Sequence, residues 1–308
     1  HGIRPYGTIS NYGISSSVQY GTPTNGISIP VLLNNIANPD LTWETTEQYN
    51  FGLDFSVLDD RISGTIDFYD KKTKDLLQNI PIPTSSGYSN ILINKGDISN
   101  KGVELLMNFD VVSNDDFEFS FGGNIAFNRT NLESLGVPAD DFYINGVAEQ
   151  RSFFFGNNIS RGQIFQSPAN VFVEGEETSL FYGFETDGIY QSDDTDLVDG
   201  AVPGDVRIID QNGDGIIDDL DRTFIGNPNP DFVYGLNLNL RYKRLSISML
   251  FNGVYGNDIA NGNLLTIGNA TGQFQNVLSD SYYNAWRPDA PSNVHPRIGY
   301  NTVGYTAI

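Results

Sequence analysis

The sequence predicts an all-β, antiparallel fold. Three separate stretches alternate apolar and polar residues with period two, and each is broken by a turn of only two to four polar residues, the pattern of long hairpins. Glycine accounts for 32 of the 308 residues and aromatics for 12%, a composition suited to strands and tight turns. No window approaches the roughly 18 consecutive apolar residues of a membrane-spanning helix.

Taken in order, residues 1–40 are rich in Gly, Ser, Tyr, Pro and Asn and read as loop with room for one short hairpin. The first long hairpin sets Tyr49, Phe51, Leu53, Phe55 and Val57 against Asn50, Gly52, Asp54 and Ser56. Past a turn at 58–61 it returns with Ile62, Gly64, Ile66 and Phe68 against Ser63, Thr65, Asp67 and Tyr69. A connection over 71–101 carries Pro81 and Pro83. The second hairpin alternates Val103, Leu105, Met107, Phe109 and Val111 with Glu104, Asn108 and Asp110. It turns at 113–116 and returns with Phe117, Phe119, Phe121, Ile125 and Phe127. Residues 130–230 show only short, irregular patches. The third hairpin runs Phe232, Tyr234, Leu236, Leu238, Leu240 and Tyr242 to a turn at Lys243-Arg244, then Leu245, Ile247, Met249 and Phe251. Its other face offers Val233, Gly235, Asn237, Asn239 and Arg241, then Ser246, Ser248, Leu250 and Asn252. Residues 254–308 are again rich in Gly, Asn and Tyr, without a closing strand signal.

Within 130–230 lies an acidic loop, 210–221, with the ligand order of an EF-hand. Asp210, Asn212 and Asp214 occupy alternate positions, Gly215 follows at the sharp turn, and Ile216 can offer its carbonyl. Asp218 and Asp221 stand at the ninth and twelfth places. A hard divalent cation needs about six or more oxygens, and a short loop supplies them only if its carboxylates converge around a glycine. A structural Ca²⁺ is therefore expected here, against the plainer reading of a solvated acidic turn. The twelfth residue is Asp rather than Glu, which shortens its reach, and no amphipathic helix precedes the loop.

Acids outnumber bases 38 to 17, giving a net charge of −21, which repels nucleic acid. Cysteine is absent, removing disulfides, thiolate metal sites and thiol nucleophiles. Two histidines, His1 and His295, and the lack of a G-x-S-x-G elbow, P-loop or H-E-x-x-H motif argue against an enzyme. No secretion signal precedes HGIRPYGTIS, so a leader is expected to have been removed or the chain to start within a larger protein.

Alternation alone leaves a soluble β-sandwich and an outer-membrane barrel both open. Strands of about 9–11 residues, short turns at one end and long loops at the other favour the barrel; sandwiches use strands of about 5–6 residues. In a barrel, 130–230 would hold an even number of crossings, most simply none, and would lie outside the cell with the acidic loop. Six strands do not close a membrane barrel, so 1–308 is expected to be part of one.

The runs NPDLTWETTEQYNFGLDF (38–55), RISGTIDFYDKKTKDLL (61–77), GDISNKGVEL (96–105), FYGFETDGIYQS (181–192), GDVRIIDQNGDGIIDDLDRTFIGNPNPDF (204–232) and AWRP (285–288) resemble SusC/RagA-type TonB-linked outer-membrane transporters of Bacteroidetes. The resemblance implies a 22-stranded antiparallel barrel with a plug and long extracellular loops. It also implies a SusD-like surface lipoprotein as partner, and TonB-driven import of oligosaccharides or peptides. The TonB box, plug and closing strands are expected in sequence outside 1–308. Two other readings stay in view: a calcium-stabilised surface adhesin or glycan-binding β-module, and a siderophore-type receptor. Phe153, Phe154, Phe155, Tyr182, Tyr190, Tyr282, Tyr283 and Trp286 are expected to be exposed on the long loops, where they could stack on sugars or grip a partner; the plainer alternative is that they pack the loops together.

Overall fold

A computed structural model describes residues 12–14, 31–33, 36–81, 84–86, 88, 90–156, 168–267 and 276–298. Strands β1 (Tyr12–Ile14) and β2 (Val31–Leu33) pair antiparallel, the one short pairing expected before residue 40. Strands β3 (Thr45–Val57) and β4 (Ile62–Lys74) form the first long hairpin. A small ribbon, β5 (Leu77–Pro81) with β6 (Asn90–Asn94), leads to the second, β7 (Asp97–Ser113) with β8 (Phe117–Ser134). Strands β9 (Ala139–Ile144), β10 (Val147–Phe155), β11 (Asn170–Val173), β12 (Leu180–Phe184), β13 (Thr186–Ile189), β14 (Val206–Ile208) and β15 (Arg222–Gly226) precede the third long hairpin. That hairpin is β16 (Phe232–Tyr242) with β17 (Leu245–Tyr255), followed by the short helices α1 (Gly262–Ile267) and α2 (Ser279–Tyr283).

The three long hairpins join into one six-stranded antiparallel sheet of order β17-β16-β8-β7-β4-β3. Because β16 bonds directly to β8, the hundred-residue excursion between them adds no strand to this sheet. The turns fall where the sequence puts them, and at the first of them Leu58, Asp59 and Asp60 all take positive φ. Strand length is corrected: β3 and β4 have 13 residues each, β7 has 17 and β8 has 18, longer than the expected span. The added residues are polar, such as Gln48, Lys71, Asn100 and Thr130, so the apolar period could not reveal them. A second correction concerns register near the lower end of β7. A bulge between Asp110 and Val112 brings Val112, not Val111, opposite Phe119.

The excursion is also corrected, from irregular loop to folded body. Strands β9, β10, β11, β12 and β15 make a separate five-stranded sheet, and β13 pairs with β14. Its core is Phe142, Val171, Val173 and Tyr182, with Ile144, Phe153 and Phe224 packed against it. The rings of Phe142 and Tyr182 stack at 4.9 Å and those of Phe142 and Phe153 meet at 5.0 Å. Tyr182 donates its hydroxyl hydrogen bond to the Tyr143 carbonyl at 2.5 Å, so the buried phenol is satisfied.

This body is seamed to the upper end of β8. Leu132 N–H donates to the Glu176 carbonyl at 2.9 Å, and Gly175 N–H returns a bond to the Leu132 carbonyl at 2.7 Å. Arg129 reaches both Glu177, at 3.1 Å, and Asp231, at 2.9 Å. Among the described residues no helix is long and apolar enough to cross a membrane.

Candidate functional site

The register sorts the six-stranded sheet into two chemically opposite faces. On one face the row Phe51, Phe68, Val103, Phe127 crosses the first four strands and continues through Phe232 and Tyr255 on β16 and β17. Phe127 and Phe232 approach to 5.6 Å, and Phe232 stacks on Tyr255 at 5.0 Å. Below it lie Leu53, Ile66, Leu105, Ile125 and Tyr234, then further rows ending at Phe117, Tyr242 and Leu245. From Phe232 to Tyr242 there are ten residue steps. At about 3.4 Å per residue and a tilt of about 40° this spans a height of about 26 Å, the apolar band of a transmembrane barrel.

The opposite face carries Asn50, Asp54, Glu104, Asn108, Asn237 and Asn239, as the alternation required. Asparagine side chains lean into the space left by glycines: Asn108 and Asn237 over Gly122, and Asn124 and Asn252 over Gly235. Tyr69 lies across Gly102 and donates to Asn128 Oδ1 at 2.9 Å. A side chain at Gly102 would occupy the ring's place, so glycine here is a packing requirement.

What covers the apolar face decides between sandwich and barrel. In a sandwich a second sheet would bury it. Instead Phe51 is 70% exposed, Leu53 54%, Phe251 50% and Tyr255 60%, while the buried cluster belongs to the separate five-stranded sheet. So extensive an apolar surface is not that of a soluble monomer.

A family model for the β-barrel of TonB dependent receptor-like proteins matches residues 1–249. The chain belongs to that family. It is of the SusC/RagA type, whose members reside in the outer membrane of Gram-negative, Bacteroidetes-type cells. It is 33% identical over 300 residues to TonB-dependent receptor P3 of Formosa agariphila, covering 96% of this chain and 28% of that protein. It is 30% identical over 213 residues to TonB-dependent receptor SusC of Bacteroides thetaiotaomicron, covering 68% of this chain and 19% of that one. Among solved structures, the RagAB peptide transporter matches with a TM-score of 0.71 and 23% identity, over 95% of this chain and 29% of that chain. The chain thus spans about 28% of the length of the curated relatives P3 and P26. At this identity the structural match establishes the fold, a large antiparallel sheet of the TonB-barrel kind.

The acidic loop sits between β14 and β15. Asp210 accepts from Gly213 N–H and Gly215 N–H, each at 2.6 Å, and from Asp214 N–H at 3.3 Å. Gly213 and Gly215 take φ of +75° and +83°, which glycine adopts without strain. Burial pushes the Asp210 carboxyl up, but these amide bonds and the adjacent Asp221 side chain outweigh it and hold the group below its ordinary range. Asn212 and Asp214 bond to one another through Asn212 Nδ2 and Asp214 Oδ2 at 2.9 Å. Asp218 caps a one-turn 3-10 helix (Asp219–Asp221) by accepting from Leu220 N–H, and Asp221 accepts from Asp218 N–H in return. The second oxygen of the fully buried Asp221 accepts from Gln211 N–H at 2.8 Å. Asp210 and Asp221, the first and last residues of the motif, are brought together; Asp214 and Asp218 are turned to local amides, and the Ile216 side chain is exposed. Among the described residues no three His, Cys, Asp or Glu side chains stand as a metal cluster. The donor set is all oxygen, so the residue types fit a hard cation.

The expectation of exposed loop aromatics is corrected for four of the eight, and for these the plainer reading, that they pack the loop body together, holds; Phe153 is packed against the Phe142 core. Tyr182, Tyr190 and Trp286 are 4%, 2% and 6% exposed, while Tyr282 and Tyr283 remain open at 52% and 70%. Trp286 Nε1 donates to Gln191 Oε1 at 3.0 Å, and Gln191 Nε2 donates to the Ser292 carbonyl at 3.1 Å. Arg297 Nε meets the buried Asp205 carboxylate at 2.7 Å. This clasp ties the strap after α2 to β13 and β14. Its partners lie about a hundred residues apart, and although AWRP and GDVRI stand out as motifs, neither shows that they touch.

Proposed function

We propose that this chain is the wall and outer mouth of an importer that moves peptides or oligosaccharides across the outer membrane on TonB-transmitted energy. The apolar face meets lipid and the asparagine-rich face lines the lumen of a 22-stranded barrel completed by sequence beyond these residues. The folded body at 135–231 and the strap after β17 form the extracellular mouth, against which a SusD-like lipoprotein closes. The observation that carries this reading is an uncovered apolar band of membrane height on a SusC/RagA-type sheet; the likeness to a peptide transporter supports the substrate class. The loop 210–221 binds one Ca²⁺ through Asp210, Asn212, Asp214, Asp218, Asp221 and the Ile216 carbonyl, as a brace for the mouth. Residues 136–230 form one removable unit, because β8 and β16 are already bonded to each other without it. Replacing them by a short turn in the full-length protein is expected to leave barrel insertion intact. Uptake of labelled peptides and oligosaccharides and capture of the lipoprotein are expected to be lost. Persistence of both in the inserted variant would overturn the mouth assignment.

A further inference from the structure

At the upper rim of the six-stranded sheet one turn meets parts of the chain that are far apart in sequence. Residues 174–179 join β11 to β12, and Gly175 and Ser179 take φ of +88° and +61° there. A serine in that region of backbone space is strained, and such strain persists only where surrounding bonds over-determine it. Here they do. Leu132 of β8 exchanges two backbone bonds with Gly175 and Glu176, and Asn131 faces Glu177 as an isolated bridge. On the other side Glu174 N–H donates to the Ser152 carbonyl at 2.9 Å, and Arg151 donates to the Glu174 carbonyl at 2.8 Å. The same turn is thus bound both to a strand of the large sheet and to β10 of the folded body.

Glu177 stands where these parts join. Its side chain is 19% exposed, and each carboxylate oxygen has its own partner. Arg129 of β8 reaches Oε1 at 3.1 Å, and Asn227 Nδ2 donates to Oε2 at 2.5 Å. Both partners lead on to other strands. Arg129 also meets Asp231, the residue before β16, at 2.9 Å. Asn227 N–H donates to Asp258 Oδ2 at 2.7 Å, and the Asn227 carbonyl accepts from Asp258 N–H at 2.7 Å. A continuous polar line therefore runs Arg129, Glu177, Asn227, Asp258, from β8 to the exit of β17. Asn229 adds a neutral bond, from its Nδ2 to the Thr178 carbonyl at 2.8 Å. A lone surface ion pair contributes little, but a carboxylate largely out of water with both oxygens engaged, one by a guanidinium, is held more firmly.

We propose that Glu177 is the positioning residue of the mouth, a role that rests on the folded body between β8 and β16 being that mouth. Glu177 fixes the pose of the body over the end of the sheet; without it the body stays folded but swings. Two backbone bonds at a single residue, Leu132, make an axle, and the Glu177 contacts reach two further points that stop the turning. The core of the body, Phe142, Val171, Val173 and Tyr182, contains no member of the polar line, so its packing survives the loss. The clasp at Trp286 and Arg297 binds the body to the strap rather than to a strand of the sheet, and gives no second fix on the sheet.

The test uses the full-length protein in lipid nanodiscs, spin-labelled through Thr45→Cys at the upper end of β3 and Ala148→Cys on β10. Both positions are exposed and outside the seam, and residues 1–308 hold no cysteine of their own. Cysteines elsewhere in the full-length chain are replaced by serine. Pulsed electron resonance is expected to give one narrow distance distribution with Glu177 in place and a broad one with Glu177→Ala. Asn229→Ala, which removes only the neutral bond, is expected to broaden it less. Amide exchange at Leu132 and Gly175 is expected to accelerate about fivefold in Glu177→Ala, the loss of about one net hydrogen bond, while β9 and β12 keep their protection. Insertion is followed by heat-modifiable migration, and a variant that fails to insert is replaced by the isosteric Glu177→Gln. A broad distribution in the wild type would overturn the proposal, as would a distribution unchanged in the inserted Glu177 variant. Equal acceleration in β9 and β12 would also overturn it, making Glu177 a stabiliser of the fold. Deleting 136–230 asks whether the body is the mouth and this experiment asks how it is held, so either can fail without the other.

Discussion

Leu238→Arg and Asn239→Arg place the same charge on adjacent residues of β16 whose side chains leave opposite faces of the sheet. Leu238 pairs with Phe121 on β8 and Met249 on β17, in the middle of the apolar band. It lies six steps below Phe232 and four above Tyr242. With about 2.6 Å of height per residue at the expected tilt, it is about 3 Å from the band's midplane. An arginine at that depth costs about 2–4 kcal/mol on a lipid face, a factor of about 30 to 1,000 in the folding equilibrium. Asn239 sits between Ser120 and Ser248 and accepts a hydrogen bond from the Ser248 hydroxyl at 2.9 Å. Losing that exposed bond costs about 1 kcal/mol or less. The assay is guanidinium unfolding of the full-length protein in lipid vesicles, read by tryptophan fluorescence. A penalty of similar size at both positions would refute the two-faced assignment, and with it the barrel orientation.

Three further outcomes follow from the loop body and its acidic loop. Phe142→Ala removes the ring at the centre of the separate core and should cost about 3–5 kcal/mol there; amide exchange should accelerate in β9 to β12 while β7 and β8 keep their protection. Burial raises the Tyr182 hydroxyl to about 12, so its neutral form stabilises the body fully below the unfolded value near 10 and that stability is lost as pH rises through about 12. Ultraviolet titration should therefore show one tyrosine ionising about two units late, and ionisation with the surface tyrosines would refute its burial. If the loop 210–221 holds Ca²⁺, adding calcium after chelation should raise the melting temperature of the loop body, and Asp210→Asn should abolish the rise; a calcium response that survives in Asp210→Asn would remove this loop as its source.

Much of the sheet was legible because a strand apolar on one face and polar on the other repeats every two residues, and the turns at 58–61 and 243–244 are short. The upper reaches of β7 and β8 were not, because strands that rise past the membrane band into water lose the apolar period while keeping their backbone partners. The bulge at Val111 was hidden for a related reason: Val111 and Val112 are chemically equivalent, and only the partner strand chooses between them. The acidic loop announced its ligand types by spacing and its sharp turn by Gly215, which takes positive φ, but not how its carboxylates would divide between neighbours and a cation.

By itself, then, the sequence determined the hairpins, their two faces, the family and the place of the loop with cation-ligand order. All of these depend on residue type at fixed local intervals. Only the tertiary structure decided that the described residues between β8 and β16 fold around Phe142 and Tyr182 as a body of their own, and that Trp286 and Arg297 close onto Gln191 and Asp205 across about a hundred residues. Only it set Glu177 between Arg129 and Asn227. Contacts of that range come from strand pairing and chain reversal summed over many residues, and no local period encodes them.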